Sequence, residues 1–152
     1  MTFLSQRLLR RGFTVTATTS GPDAVAAADR QPFDVAVVDL KLPVMDGVEV
    51  LGRLKAGQPF LEAIMFTGHG SADSALEAGR LDAFRYVIKP CDYEELVALI
   101  EAAGRRKRER QTAAYHEALQ EILAGGGSPR EILAATEALR HQYEQDDSPH
   151  RS

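Results

Sequence analysis

The segment Asp34-Val35-Ala36-Val37-Val38-Asp39 sets four apolar residues, three of them β-branched, between two acids. A short apolar run with no polar alternation suits a central parallel strand covered by helices on both faces, not an antiparallel strand with one wet face. Similar runs recur along the first two-thirds of the chain. Phe13 to Thr18, Ala63 to Thr67 and Phe84 to Lys89 read as further strands, and each is separated from the next by a stretch with helical spacing. This βα repetition predicts an α/β fold with a doubly wound parallel sheet.

The helical stretches carry their own punctuation. Leu4, Leu8 and Leu9 mark a first helix that stops at Gly12, where a left-handed φ is needed. Ser20-Gly21-Pro22-Asp23 starts a second, with proline pre-set for the first turn, and Gln31-Pro32 ends it. Val48, Leu51 and Leu54 mark an amphipathic third helix, and Ser71 to Ala78 is a short fourth. Asp92 caps a fifth, with Leu96, Val97, Leu99 and Ile100 as its apolar stripe.

Beyond Gly104 no strand follows. Residues 1–104 read as one domain and 105–124 as a helical extension opening on the charged run Arg105 to Arg110. Gly125 to Pro129 is a flexible hinge, 130–145 a short amphipathic helix on Ile132, Leu139 and Tyr143, and 146–152 a disordered tail. With 152 residues there is room for one core and a tail, not two full domains. The net charge of -4 gives no global attraction to nucleic acid or anionic membrane, so the basic run is expected to be a solvated helix face. The single cysteine, Cys91, excludes an intrachain disulfide framework and is expected to be a small buried residue. No secretory h-region or membrane span is visible, so a cytoplasmic location is expected.

In open α/β sheets ligands bind beyond the carboxyl ends of the strands. The residues closing three successive strands are Asp39, Thr67 and Lys89. A carboxylate, a hydroxyl and an ammonium together suit an oxyanion attached to the acid, with Asp39 as nucleophile, Thr67 as hydrogen-bond donor and Lys89 as compact counter-charge.

At these positions the chain resembles the receiver domain of two-component response regulators. Asp39-Leu40-Lys41-Leu42-Pro43-Val44-Met45-Asp46-Gly47 is similar to the loop after the phosphoacceptor aspartate. Phe66-Thr67-Gly68 resembles the switch-threonine strand, and Tyr86-Val87-Ile88-Lys89-Pro90 the Lys-Pro strand with its switch aromatic. The resemblance implies a flavodoxin-like fold of strand order 2-1-3-4-5 and transfer of a phosphoryl group to Asp39 from a histidine kinase or phosphotransfer protein. It further implies that Thr67 moves toward the phosphoryl oxygens, Tyr86 turns inward behind it, Gly68 leaves room for donor and water, and Lys89-Pro90 is cis. Pro43 and Gly47 shape the loop, and the signal leaves through contacts with an unknown downstream protein.

Such domains begin with a strand ending in an acidic pair that holds Mg²⁺, and this sequence carries neither; aligned at Leu8 to Phe13, both fall before Met1. Of the implied metal ligands, the Asp39 carboxylate and the Lys41 backbone carbonyl remain, so Mg²⁺ binding is expected to be weak. A start placed too far downstream is the favoured account, because the three motifs are intact. The other is a degenerate receiver that binds proteins without phosphorylation. A dehalogenase-like phosphatase is discarded, since Lys41 stands where a second acid belongs. Asp46 reads as a turn former, and His69, His116, His141 and His150 lack metal-ligand spacing. Tyr115, Leu119, Ile122 and Leu123 with the last helix form either a hairpin against the domain or a homodimer contact. DNA binding is not expected, for no helix-turn-helix unit follows.

Overall fold

The computed structural model describes residues 3–146. Three strands form one parallel sheet in chain order: β1 (Val35–Val38), β2 (Glu62–Thr67) and β3 (Arg85–Ile88). Val38 stands opposite Met65, and Thr67 opposite Ile88, so the strands end level with one another. Around the sheet lie α1 (Phe3–Arg10), α2 (Gly21–Arg30), α3 (Gly47–Gly57), α4 (Ala72–Arg80), α5 (Tyr93–Ala124) and α6 (Pro129–Asp146).

The alternation of side chains along β2 divides the core in two. Leu61, Ala63 and Met65 pack with Val50, Leu51 and Leu54 of α3 and Ala78 of α4, whereas Ile64 packs with Leu8 of α1 and with Leu96, Val97, Ile100 and Ala103 of α5. Leu51, Leu61, Ile64 and Met65 are all but inaccessible, and burying each contributes about 1.5–3 kcal/mol. On the α5 face, α1 is held by Arg7 lying 3.5 Å from the Tyr93 ring centroid and by two bonds of 2.9 and 3.1 Å from Arg11 to Glu94.

Phe13 to Thr18, expected as a strand, forms no ladder. A strand is a pairing, not a residue type. In the order 2-1-3-4-5 this segment pairs only with the first strand, which the sequence does not contain. Phe13 and Val15 still pack against the α5-side core. For the same reason β1 is an edge strand here and not a central one, and Val37 is 38% exposed. In α1, Leu4 and Leu8 turn inward as expected. Leu9 lies a further 100° round the helix and is exposed, while Ser5 is buried. Gly12 has φ +100, as its place after the helix demanded.

The basic run is not a wholly solvated face. α5 continues unbroken through Gly104, and its buried stripe extends from Ile100 through Ala103 and Gly104 to Lys107 and Gln111. Lys107 is 3% exposed and its Nζ lies 3.0 Å from Asp34 Oδ1. Arg110 bonds to Glu62, which is 1% exposed at the amino end of β2, and Arg106 and Lys55 each approach that carboxylate to 3.9 Å. Arg110, Arg106 and Lys55 thus neutralise one buried acid, while Lys107 pairs with the exposed Asp34.

After Gly126 and Gly127, both at positive φ, α6 folds back on α5. Tyr143 meets Tyr115 edge-on at 5.4 Å and Phe60 of the sheet body at 6.1 Å. Of the expected disordered tail at 146–152, only helical Asp146 lies within the described residues. Among those residues no helix is long and apolar enough to cross a membrane.

Candidate functional site

The three level strand ends gather Asp39, Thr67 and Lys89, as the sequence predicted. Thr67 is fully buried and donates from Oγ1 to Asp39 Oδ1 at 3.0 Å; Lys89 Nζ lies 3.1 Å from Oδ2. The Lys41 amide adds a third donor, 3.1 Å from Oδ1. The Asp39 side chain is one-third exposed, so a reactant can reach it. Burial alone would raise its pKa, but the bonds from the Lys41 amide, Lys89 and Thr67 outweigh it and hold the carboxyl below the usual aspartate value. The group is therefore ionised at neutral pH, the state a nucleophile needs.

The loop after Asp39 is fixed by sterics. A Cβ on Gly47 would sit 2.3 Å from the Asp39 carbonyl oxygen, so only glycine fits, and the Gly47 amide closes the loop on the Leu40 carbonyl at 2.9 Å. Pro43 accepts from the Met45 amide at 2.8 Å across Val44, whose φ is 72. Asp46, expected as a turn former, is the N-cap of α3 and accepts from the Glu49 amide at 2.9 Å.

Tyr86 is half-buried against the α3-side core, and its hydroxyl meets Ser74 Oγ at 2.6 Å and accepts from the Ser71 amide at 3.2 Å. Thr67 Oγ1 accepts from the His69 amide at 3.1 Å. Thr67 and Tyr86 thus grip opposite ends of the short loop Gly68 to Ser71. Ser71 is where the sequence starts the fourth helix, while Ser74 went unread, although their spacing is that of a capping box, which both complete at the start of α4. A Cβ on Gly68 would meet nothing within 4 Å, so the space at that position, directly after Thr67, is open. The Lys89-Pro90 peptide is cis.

A family model for the response regulator receiver domain matches residues 1–101. The chain belongs to the response regulator receiver family. This receiver is 36% identical over 108 residues to the DNA-binding transcriptional regulator NtrC of Salmonella typhimurium, a match covering 71% of this chain and 23% of that protein. It is 33% identical over 110 residues to the alginate biosynthesis transcriptional regulatory protein AlgB of Pseudomonas aeruginosa, covering 72% and 24%. The receiver thus spans about a quarter of the length of these relatives. Among solved structures, a CheY-like receiver domain protein from Methanospirillum hungatei superposes with TM-score 0.68 at 25% identity, covering 70% of this chain and 86% of that one. A response regulator from Burkholderia pseudomallei, solved with a phosphorylated aspartic acid and a calcium ion, shares the fold at TM-score 0.61 and 24% identity, covering 96% and 90%.

The residues present do not make a Mg²⁺ site. Mg²⁺ takes six oxygens in near-octahedral array and is anchored by carboxylates. Among the described residues no three of His, Cys, Asp and Glu come together to hold a metal, and both Asp39 oxygens already accept bonds. Lys41 meets Asp39 through its amide. His69, His116 and His141 join no such cluster, and His150 lies outside the described residues. Cys91, expected as a small buried residue, is partly buried against the α5-side core, its thiol directed at the Asp92 carbonyl at 3.5 Å.

Proposed function

We propose that this receiver is a phosphoacceptor in a two-component relay, taking its phosphoryl group on Asp39 from a histidine kinase or phosphotransfer protein. An Asp39 carboxylate oxygen attacks phosphorus and the bond from phosphorus to the donor imidazole nitrogen breaks. The imidazole keeps the electron pair, and an aspartyl phosphate remains that water later hydrolyses. Lys89 pairs with the incoming phosphoryl oxygens and Thr67 donates to one of them, leaving its present bond to the carboxylate. The reading rests on one observation: Thr67 Oγ1 and Lys89 Nζ converge on opposite oxygens of Asp39 at 3.0 and 3.1 Å.

Movement of Thr67 draws on the His69 amide and hence on the loop whose far end is tied to Tyr86. New charge-assisted bonds at one end thereby bias the loop, Tyr86 and the start of α4, a two-state element read by a partner protein. Residues 1–104 act as receiver and 105–146 as an extension that packs on it, a division of role, since α5 is continuous across Gly104. The site belongs in the cytoplasm, where such donors work.

A second reading, a protein-binding module that takes no phosphate, is favoured by the poor fit to Mg²⁺. Intact-mass analysis after incubation with acetyl phosphate, with and without Mg²⁺, separates the two. Addition of one phosphoryl group to wild type and none to Asp39→Asn is expected. Wild type left unmodified in both conditions overturns the phosphoacceptor reading.

A further inference from the structure

The α5–α6 hairpin has one unfilled side. Among the described residues α6 buries none of its side chains fully, and Leu123 and Leu133 are each 58% exposed. At about 100° per residue, Tyr115, Leu119 and Leu123 form one stripe along α5, and Leu133, Arg140 and Glu144 one along α6. The stripes open on the same side, since Tyr115, Arg140 and Glu144 line one cleft of about 390 Å³. Leu119 and Leu123 lie about 120–160° round α5 from the buried Ala103 and Lys107, so this side faces away from the sheet body. The contact of Tyr115 with Tyr143 sets the height of the two antiparallel helices. Counted from it, Leu123 stands within about 3 Å of Leu133 along the axis, and His116 within about 3 Å of Glu144. His116 and Glu144 make no ion pair among the described residues.

We infer that this side of the hairpin binds the same side of a second copy of the chain, the two hairpins closing into a four-helix bundle. A two-fold axis parallel to the helices lays α5 of one copy on α6 of the other at equal height. Leu123 then meets Leu133 of the second copy, and His116 meets its Glu144, each contact occurring twice. The face is thus complementary to itself, apolar against apolar near the turn and base against acid further along. Its size is sufficient as well. The 18 residues of α6 span about 26 Å, and two helices side by side are about 20 Å across, a footprint of roughly 500 Å² per copy. A pair buries on the order of 1,000 Å², where specific interfaces begin, so a reversible dimer with a Kd on the order of 10–100 µM is expected. The extension is then a dimerisation element on a surface separate from Asp39, Thr67 and Lys89.

The test is sedimentation velocity of the full chain over a concentration series from about 5 to 500 µM. A reversible passage from monomer to dimer is expected. Leu123→Glu and Leu133→Glu change exposed positions, so both should keep the wild-type circular dichroism spectrum. Each should weaken dimerisation about tenfold or more, because the symmetry buries every new carboxylate twice. His116→Glu and Glu144→Lys should each weaken it when run alone. An equimolar mixture of those two variants should associate more tightly than either by itself, since both contacts then join unlike groups across the interface. A pair within one chain cannot produce that result. The inference is overturned if wild type stays monomeric throughout the series, if both leucine variants dimerise as wild type does, or if the mixture associates no more tightly than its components.

Discussion

Replacing Thr67 by valine removes a hydroxyl and almost nothing else, because the two side chains have nearly the same shape and the site is fully buried. Two hydrogen bonds disappear. The bond to ionised Asp39 is of the kind worth about 1.5–3 kcal/mol, and the one accepted from the His69 amide is worth about 1 kcal/mol. Partial compensation follows, since Asp39 is one-third exposed and keeps Lys41 and Lys89, and His69 stands in solvent. A net loss of about 1–2 kcal/mol in urea unfolding results. Thr67→Ser keeps both bonds and deletes one buried methyl, a loss of about 1 kcal/mol. Stability alone therefore hardly separates the two variants, but Asp39 does. Its carboxyl titration, followed by ¹³C NMR, should move up in Thr67→Val, where one of the bonds depressing it is gone, and stay in place in Thr67→Ser. Thr67→Val should still accept a phosphoryl group from acetyl phosphate, its nucleophile being intact. The Ser71 and Tyr86 resonances should then fail to respond. An Asp39 titration in Thr67→Val unchanged from wild type, or a full Tyr86 response in that variant, refutes the assignment of Thr67 as the sensing donor.

At the other end of β2, Arg110→Met strands the Glu62 charge with two cations at 3.9 Å and should cost about 2–3 kcal/mol, less than the 3–5 of a wholly unpaired buried charge. Glu62→Gln leaves partly exposed Arg106 and Arg110 free to hydrate but strands the buried Lys55 ammonium, so it too should destabilise; chemical denaturation showing either variant as stable as wild type would remove the clamp from the account. Gly47→Ala gains about 1 kcal/mol of helix propensity but forces a Cβ to 2.3 Å from the Asp39 carbonyl oxygen. Net destabilisation of about 2 kcal/mol or more is expected, with shifted Asp39 resonances, and a neutral effect would mean that the loop yields. Because the folded-state pKa of Asp39 is depressed, its contribution is present above the unfolded aspartate value near about pH 4 and is lost as pH falls through the folded value. Asp39→Asn should flatten that part of the acid limb in thermal melts, and identical limbs would count against the three-donor environment.

The parts of this molecule that were legible in its sequence are those whose cause is local. Asp39, Thr67 and Lys89 each close a run of apolar residues, and level parallel strands bring such ends together without further information. Gly12 and Ser20 announce helix ends through their own backbone and side-chain chemistry. Phe13 to Thr18 failed because its ladder depends on a neighbour, not on its own composition. The charge run misled for a related reason: Lys107 and Gln111 continue the spacing of Ile100 and Gly104, but a long stem with a polar head does not register as apolar. Glu62 was invisible as a partner because nothing local marks an acid 48 residues from its arginine.

The clamp at Glu62 also gives α5 a mechanical character. Eighteen residues, about 26 Å of helix, precede and include Arg110, and fourteen, about 21 Å, follow it to Ala124. The first arm lies packed on the core through Leu96, Val97, Ile100 and Ala103, and the second, of similar reach, stands beyond the clamp and carries α6, so the two move as one rigid lever. A tilt of the turns beside Leu96, about 21 Å before Arg110, would emerge reversed in direction beyond it, cut to about a third at Tyr115 and nearly undiminished at Ala124, carrying the far helix with it as a seesaw does.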